Sequence, residues 1–293
     1  MSFSKVLSAD AVVARLSDGM TIGIGGWGPR RKPMALVRAL VRSSLKDLTI
    51  VSYGGPDVGM LCAAGKVRKL VYGFVTMDAI PLEPYFRKGR ESGAFEVMEL
   101  DEGMFQWGLK AAGMRVSFLP CRAGLATDVL ARNPSIKTIR SPYDDGEVYV
   151  AMPALKLDAA LLLVNEADRL GNTLIRARDP LFDAHFARAA ERCYVQSEVV
   201  HERLALDADA ARFNLFERSF VHGVTHAPGG AHPTTNGPDY GWDLDHMKQY
   251  NASASEEGGW QKYYDAYVAV SDADYLAKVG GADRVAKLKL PVF

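Results

Sequence analysis

The sequence has few cysteines and no excess of charge of either sign. Only three cysteines, Cys62, Cys121 and Cys193, occur in 293 residues, and they form no Cys-x-x-Cys pair. This odd, dispersed set fits neither a disulfide framework nor a zinc finger, and it predicts a reducing compartment. Lys and Arg total 35, as do Asp and Glu, so the formal net charge is zero. Proteins that bind nucleic acid through charge alone need a basic excess, and that class is excluded.

Long hydrophobic runs and targeting signals are also missing. The longest clean apolar run, residues 159–164, is far shorter than the roughly 20 residues that span a bilayer. Residues 1–16 lack the apolar core and small-residue cleavage site of a signal peptide. We therefore expect a soluble, cytoplasmic protein without a membrane segment. Apolar residues make up 48% of the chain and charged residues 24%, as in folded globular proteins.

Strand and helix patterns alternate along most of the chain. The patterns predict strands at 20–24, 47–51, 70–72, 95–100, 116–119, 148–150, 159–164 and 193–200. They predict helices at 8–16, 33–41, 58–64, 82–88, 102–112 and 181–190. This alternation predicts an α/β fold with an open, mainly parallel sheet and crossover helices. The strand at 159–164 is apolar on both faces, which is typical of a central buried parallel strand.

Two stretches interrupt this alternation. Residues 121–145 are predicted to be mostly irregular, and residues 228–243 are rich in Gly, Pro, Thr and Asn. Long ordered loops in compact domains are usually functional or disordered. Helices are predicted again at 260–270 and 272–278. Because no linker divides the chain, we predict an α/β domain over 1–250 and a C-terminal helical extension, 251–293, packed on it.

The glycine-rich segment 23–28 has the spacing Gly-x-Gly-x-x-Gly. A dinucleotide site needs such glycines to open a helix directly, and an acidic residue at the end of the next strand. Here Pro29 follows at once, and the next strand ends at Tyr53 without an acid, so the pattern disfavours this site. Two interpretations remain. The segment is a tight turn, or the N–H groups of Gly25, Gly26 and Gly28 face a carbonyl or thioester oxygen.

Several segments, taken in order, resemble the α subunit of a class I coenzyme A transferase. Residues 18–51 resemble the opening of that subunit, and residues 153–172 resemble its late strand and turn. Residues 230–243 are similar to the glutaconate branch. The resemblance implies an open α/β fold and a homologous β subunit in an α2β2 heterotetramer, with the acyl-CoA site between the subunits. The nucleophilic glutamate of the transferases belongs to the β subunit, so this chain alone would not carry transferase catalysis.

Residues 99–107 depart from the transferases. They resemble the α subunits of actinobacterial hydrolases that open the last ring in cholesterol degradation, where a glutamate of the α subunit activates water. The resemblance implies that Glu102 is the general base, with Glu99 as the alternative. A structural interpretation stays open, in which Asp101 caps a helix and Glu102 is a first-turn charge.

The chemistry implied by this resemblance is a hydrolytic retro-Claisen cleavage of a cyclic β-keto thioester of CoA. Such a site needs a base, donors for the thioester oxygen and a cation for a substrate carboxylate. Arg122 is the candidate cation, although it also fits a solvated loop arginine. His232 either packs within its loop or lies at the edge of the substrate. The predicted substrate-binding residues are Gly25, Gly26, Gly28, Arg122 and His232.

The sequence predicts no metal and no cofactor apart from the CoA of the substrate. His222 and His226 are four residues apart, but no Glu follows the first, and the residues between them favour a strand. Cys121, beside Arg122, is an alternative nucleophile. Two other functions stay open: the α subunit of a glutaconate-type dicarboxylate CoA transferase, and a non-catalytic scaffold subunit.

Overall fold

The computed structural model describes residues 3–292, which form two sheets flanked by helices. The strands are β1 (Thr21–Ile24), β2 (Leu48–Ser52), β3 (Val67–Tyr72), β4 (Glu96–Glu99), β5 (Phe118–Cys121), β6 (Lys137–Arg140), β7 (Val148–Pro153), β8 (Leu157–Asp168), β9 (Thr173–Leu174), β10 (Ala190–His201) and β11 (Val221–His226). The α-helices are α1 (Ala9–Val13), α2 (Met34–Arg42), α3 (Pro56–Ala63), α4 (Pro84–Ser92), α5 (Glu102–Gly113), α6 (Asp128–Arg132), α7 (Asp183–Ala189), α8 (Ala208–Ala211), α9 (Leu244–Ser253), α10 (Gly259–Tyr263), α11 (Asp272–Lys278) and α12 (Ala282–Val285). No helix among these residues is long and apolar enough to cross a membrane.

Seven parallel strands build the main sheet in the order β11-β10-β8-β1-β2-β3-β4, and the short β9 pairs antiparallel with β8. The α/β fold with a mainly parallel sheet is therefore confirmed. Strands β2 to β4 extend from one side of β1, whereas β8, β10 and β11 extend from the other. The strand order thus reverses between β1 and β8. In open α/β sheets, ligands bind at the carboxyl ends of the strands beside such a reversal.

The strand β8 shows why the sheet is covered on both faces. Its residues alternate between two apolar clusters: Ala159 and Leu161 lie in one, and Ala160 and Leu162 in the other. The first cluster contains residues of α1 to α4, α9 and α10, and we call this side the first face. The second contains residues of α5, α7 and the small sheet, and we call it the second face. Burial on both faces confirms the predicted central strand.

The strands predicted at 116–119 and 148–150 do not join the main sheet. They correspond to β5 and β7, which form a separate antiparallel sheet in the order β5-β7-β6. The helix α6 and the third strand, β6, lie inside 121–145, and the remaining residues of that stretch are irregular, so the prediction of a mostly irregular stretch holds. The two predicted strands pair within the small sheet and not with the main sheet. The physical reason is that local patterning identifies extended segments but does not identify their pairing partners.

The C-terminal part of the chain is helical, as predicted. The helix predicted at 260–270 is divided into α10 and a π-helical turn over Tyr264–Val268. Arg38, on α2, is buried here and pairs with Asp272 of α11 at 2.9 Å, with its guanidinium 3.7 Å from the centroid of the Tyr275 ring. These contacts join the C-terminal helices to the first face. Residue 250 lies within α9, and the division of the chain at this residue stays a prediction.

Candidate functional site

An aromatic cluster lies at the carboxyl ends of β1, β2 and β3. Trp27 follows β1 and stacks on Tyr53, with ring centroids 4.6 Å apart and planes 1° apart. Phe74, after β3, meets the edges of both rings at 4.8 and 5.0 Å. Phe105 of α5 meets Tyr53 edge-on at 4.6 Å. This packing joins the first turn of α5 to the strand ends where α/β folds bind ligands.

Glu102 is the first residue of α5, directly beyond the end of β4. Asp101 caps the helix, because its Oδ1 accepts the N–H of Gly103 at 2.8 Å. The side chain of Glu102 is exposed, and its Oε1 accepts a hydrogen bond from Gln106 Nε2 at 3.2 Å. Burial, together with the charges of Glu102 and Asp101, raises the pKa of Tyr53. The carboxylate of Glu102 therefore lies within electrostatic reach of the aromatic cluster.

Glu99, the alternative base, occupies a different environment. It lies on β4, and its Oε2 accepts the hydroxyl of Tyr72 at 2.9 Å. Val97, two residues earlier, belongs to the first face, whereas Phe105 of α5 belongs to the second. Because side chains alternate along a strand, Glu99 is directed to the same side as Val97. It lines a cavity of about 580 Å³ together with Arg90, Val97, Asp128, Val129, Arg132 and Asn133. The structure therefore does not bring Glu99 and Glu102 into one site.

The backbone N–H groups of residues 25–28 already donate hydrogen bonds within the chain. The acceptors are Leu161 O for Gly25 at 3.0 Å, Asp183 Oδ1 for Gly26 at 2.9 Å, Arg30 O for Trp27 at 2.9 Å and Tyr53 O for Gly28 at 3.1 Å. The prediction that these N–H groups bind an acyl oxygen is therefore corrected, because each of them already has an acceptor within the chain in this structure. Contact between these glycines and a substrate stays a prediction.

The tight turn accounts for the glycines at this position. Gly26 has φ +78°, a conformation that side chains disfavour, and a Cβ there would lie 2.4 Å from Arg30 O. A Cβ on Gly25 would lie 2.6 Å from Asp183 Oδ1. Bare backbone thus allows the loop to turn tightly over a buried carboxylate.

Two buried ion pairs hold this loop, and sequence reasoning did not find them. Arg31 and Asp183 pair at 2.7 Å, and Lys32 and Asp57 pair at 3.0 Å, with all four side chains at most 3% exposed. Lys32 also donates to Tyr53 O at 2.7 Å. Burial lowers the pKa of Lys32, and Asp57 opposes this effect. The available signal was the basic run 30–32, which follows an apolar strand and a glycine loop where few charges are expected.

Arg122 follows β5, and its side chain is 68% exposed. It pairs with Glu147, and its guanidinium lies 6.0 Å from the centroid of the Tyr149 ring. The adjoining Ala123 lies against α5, since a Cβ on Gly103 would be 2.8 Å from Ala123 Cβ. The structure thus brings the segment of Arg122 next to the first turn of α5, where Glu102 lies.

His232 does not reach the candidate site. The side chain is 0% exposed, with Nδ1 2.7 Å from the hydroxyl of Tyr275 and Nε2 3.0 Å from Asp243 Oδ2. Burial lowers the pKa of His232, and Asp243 opposes this effect. Because both ring nitrogens are occupied in the interior, the prediction of substrate contact is corrected. The packing alternative accounts for this histidine.

The other sequence candidates do not form a reactive centre. His222 and His226 lie on β11, and His226 Nε2 is 3.1 Å from Glu198 O. Within residues 3–292, no group of three or more His, Cys, Asp or Glu could hold a metal ion. All three cysteines are free. Burial raises the pKa of Cys121, which is the opposite of what activates a thiol nucleophile.

Comparison with known proteins places the chain in a family. Residues 6–221 match the family model described as Coenzyme A transferase. The chain belongs to this family, as its sequence segments predicted.

Its relatives include named enzyme subunits. The chain is 48% identical over 282 residues to the cholesterol ring-cleaving hydrolase IpdA subunit of Rhodococcus jostii (strain RHA1), covering 94% of this chain and 95% of the relative. It is 46% identical over 283 residues to the subunit of the same name from Mycobacterium tuberculosis (strain ATCC 25618 / H37Rv), covering 94% of this chain and 97% of the relative. The crystal structure of glutaconate coenzyme A-transferase from Acidaminococcus fermentans matches with TM-score 0.88 and 24% identity, covering 98% of this chain and 96% of that chain. The structural match supports the fold.

Proposed function

We propose that the chain is the α subunit of a hydrolase that opens the last steroid ring in cholesterol degradation. The substrate is a cyclic β-keto acyl-CoA. The proposal is supported by the 48% identity with a subunit of that name along nearly the whole chain. The structural observation that carries it is the exposed carboxylate of Glu102, which lies at the carboxyl edge of the parallel sheet and at a helix N-terminus.

The reaction is a water-driven retro-Claisen cleavage. Glu102 takes a proton from water, and the hydroxide adds to the carbon of the ring ketone. The bond between this carbon and the α-carbon of the thioester then breaks, and its electron pair is held as the thioester enolate. Glu102 returns its proton to the α-carbon, so the products are a carboxylic acid and an open-chain acyl-CoA. General-base catalysis of this kind is worth about 10²–10⁴ in rate.

Arg122 is the proposed partner of a substrate carboxylate. Its guanidinium is exposed and already holds a carboxylate, that of Glu147. Guanidinium groups bind carboxylates in a bidentate geometry. A carboxylate on the substrate would take the place of Glu147, and Gly25, Gly26 and Gly28 are proposed to lie along the acyl-CoA.

The reaction in H₂¹⁸O tests this function and the role of Glu102 together. We expect one ¹⁸O atom in the new carboxyl group and none in the thioester, as measured by mass spectrometry of the complex with its partner. In single-turnover kinetics, Glu102→Gln is expected to lower the rate by about 10²–10⁴, because the base is lost while the size is kept. Glu99→Gln is the matched control and should keep near-normal turnover.

The same assay separates the alternatives. Transfer of CoA to a free dicarboxylate, without ¹⁸O in the acyl product, would identify a glutaconate-type transferase. Ring opening at the normal rate in both glutamate variants would assign the chemistry to the partner and leave this chain as a scaffold.

The relatives are named subunits, which implies that this chain has a partner subunit. We propose that the partner is a homologous β subunit in an α2β2 heterotetramer. Two exposed apolar side chains on the small antiparallel sheet support a partner contact there. Phe118 and Ile139 lie opposite Pro153 and Tyr149 of β7, on the face that does not pack against the core. A partner on this sheet would also cover Arg122 and the first turn of α5, and would exclude water from the site.

We also propose that the enzyme acts in the cytoplasm, without a metal, nucleic acid or cofactor beyond the CoA of its substrate. The free cysteines suit a reducing compartment, and the zero net charge provides no basic excess for nucleic acid. Stoichiometric metal by elemental analysis, or a flavin or nicotinamide absorbance band in the purified complex, would contradict this proposal.

A further inference from the structure

A buried hydroxyl beside the candidate site has no hydrogen-bond partner. Tyr53 is 1% exposed, and among the described residues its hydroxyl meets neither a donor nor an acceptor. Buried polar groups are nearly always paired, because an unpaired one costs stability. The ring of Tyr53 is stacked on Trp27 and meets the edge of Phe105, so it is held in one orientation. The unpaired hydroxyl therefore needs an explanation other than loose packing.

The hydroxyl lies beside the end of β3, which is bonded to the segment that begins α5. A Cβ on Gly73, directly after β3, would lie 2.6 Å from the oxygen of the Tyr53 hydroxyl. The preceding residue, Tyr72, accepts the N–H of Leu100, two residues before Glu102, at 2.8 Å. The carboxylates whose charges act on the phenol are those of Glu102 and Asp101, in that order. Asp101 is already engaged in capping α5. Glu102, by contrast, is exposed and is bonded to Gln106 through Oε1.

Other charged groups near Tyr53 are already paired. Lys32, which donates to the carbonyl of Tyr53, is neutralised by Asp57. Arg122, on the segment beside α5, is paired with Glu147. Cys121 is half-buried, and burial raises its pKa, so it contributes no charge near neutral pH. The neutral phenol is thus an unused donor near an exposed carboxylate.

We propose that Tyr53 is a positioning residue for Glu102, whose carboxylate accepts a hydrogen bond from the Tyr53 hydroxyl when acyl-CoA and the partner subunit cover the site. This inference rests on the proposed function, since it takes Glu102 as the base. Without acyl-CoA and the partner subunit, water solvates the exposed carboxylate of Glu102. Once water is excluded, the carboxylate needs donors from the protein. A bond to an ionised acceptor is stronger than a neutral one, and it fixes the direction in which Glu102 faces the attacking water.

The variant Tyr53→Phe tests the proposal in the complex with the partner, because it removes the hydroxyl and keeps the ring. We expect kcat for ring opening to fall by about 10- to 100-fold while KM changes little, since the base is misdirected rather than the substrate lost. The acid limb of the pH profile of kcat should move to higher pH, because a carboxylate without its donor binds a proton more tightly. The melting temperature should stay the same or rise, because an unpaired buried hydroxyl is removed.

Tyr250→Phe is the matched control. Tyr250 is also a fully buried tyrosine, but it belongs to the first face, and its hydroxyl faces the buried carboxyl group of Glu83 rather than α5. This variant should keep both the normal kcat and the normal pH profile. An equal loss of kcat in the two tyrosine variants would overturn the proposal.

Glu102→Gln, measured in parallel, separates the failure of this inference from that of the proposed function. If Glu102→Gln is inactive while Tyr53→Phe keeps the normal kcat and pH profile, only the positioning role is wrong. The positioning role would also be overturned if Tyr53→Phe lowered both kcat and the melting temperature and left the pH profile of kcat unchanged. Such a result would indicate a purely structural effect. If Glu102→Gln is fully active, the proposed function itself fails.

Discussion

At the residue scale, a carboxyl group in the interior makes stability depend on pH. Glu83 is 0% exposed, and its Oε2 accepts the N–H of Phe86 at 2.6 Å at the start of α4. Gly59 leaves the room for it, since a Cβ there would lie 2.0 Å from the carboxyl carbon. Burial raises the pKa of Glu83 from 4.5 to about 8, and the Phe86 N–H opposes this effect. The folded protein therefore holds a proton that the unfolded chain releases.

We expect the variant Glu83→Gln to be less sensitive to pH than the wild type. The raised pKa means that the stability contribution is fully present below pH 4.5 and is lost as pH rises to about 8. In that window, one proton changes the free energy of unfolding by at most about 1.4 kcal/mol per pH unit. Melting temperatures from pH 5 to 8 should fall more steeply for the wild type. Parallel curves for the two proteins would show that Glu83 is ionised in the fold.

At the scale of elements, the loop after β1 depends on a side chain from α7. Asp183, in the first turn of α7, accepts the N–H of Gly26 and pairs with Arg31 in the interior. Burial raises the pKa of Asp183, and Arg31 opposes this effect. The same loop carries Trp27, which stacks on Tyr53. The aromatic cluster of the candidate site is therefore positioned by an ion pair between distant segments.

Asp183→Asn is expected to destabilise the protein strongly. Removing one partner of a buried pair leaves the other charge unpaired and costs about 3–5 kcal/mol. Asp78→Asn is the matched control, because its pair with Arg30 is partly exposed and such pairs contribute about 0–1 kcal/mol. Urea unfolding of the purified complex measures both. Similar small losses in the two variants would mean that the loop does not depend on Asp183.

At the scale of the whole molecule, the small sheet keeps apolar side chains exposed on its outer face. Antiparallel sheets with one solvated face usually alternate apolar and polar residues. Here β7 buries Val150 and Met152 against the core, yet Phe118 and Ile139 on the neighbouring strands stay exposed. Apolar residues on an exposed sheet indicate an interaction surface when they are clustered.

We expect assembly with the partner to depend on this surface. The chain has a mass of 32.0 kDa, and light scattering of the co-purified subunits should give an α2β2 mass. Ile139→Lys should weaken assembly, because it places a charge in an apolar contact. Leu206→Lys, at another exposed apolar residue, should not weaken it. An active, stable monomer, or full assembly of Ile139→Lys, would contradict the expectation.

Features that depend on neighbouring residues could be predicted from the sequence. The order of strands and helices from β1 to α5, the central strand β8 and the start of α5 at its Asp101 cap all follow from periodicity and capping within a few residues. The family could also be recognised, because its segments recur in order along the chain. For the candidate site, the sequence placed Glu102 at a helix start beside a strand end, which is where the structure has it.

The tertiary structure decided everything that depends on distant partners. The Gly26 N–H is occupied by a carboxylate 157 residues away, and His232 is buried by a tyrosine 43 residues away. The pairing of β5 with β7 rather than with the main sheet, and the separation of Glu99 from Glu102, depend on which elements pack together. The local sequence pattern does not predict such contacts, because the pattern of a strand or the identity of a polar residue is the same whichever partner it contacts in the fold.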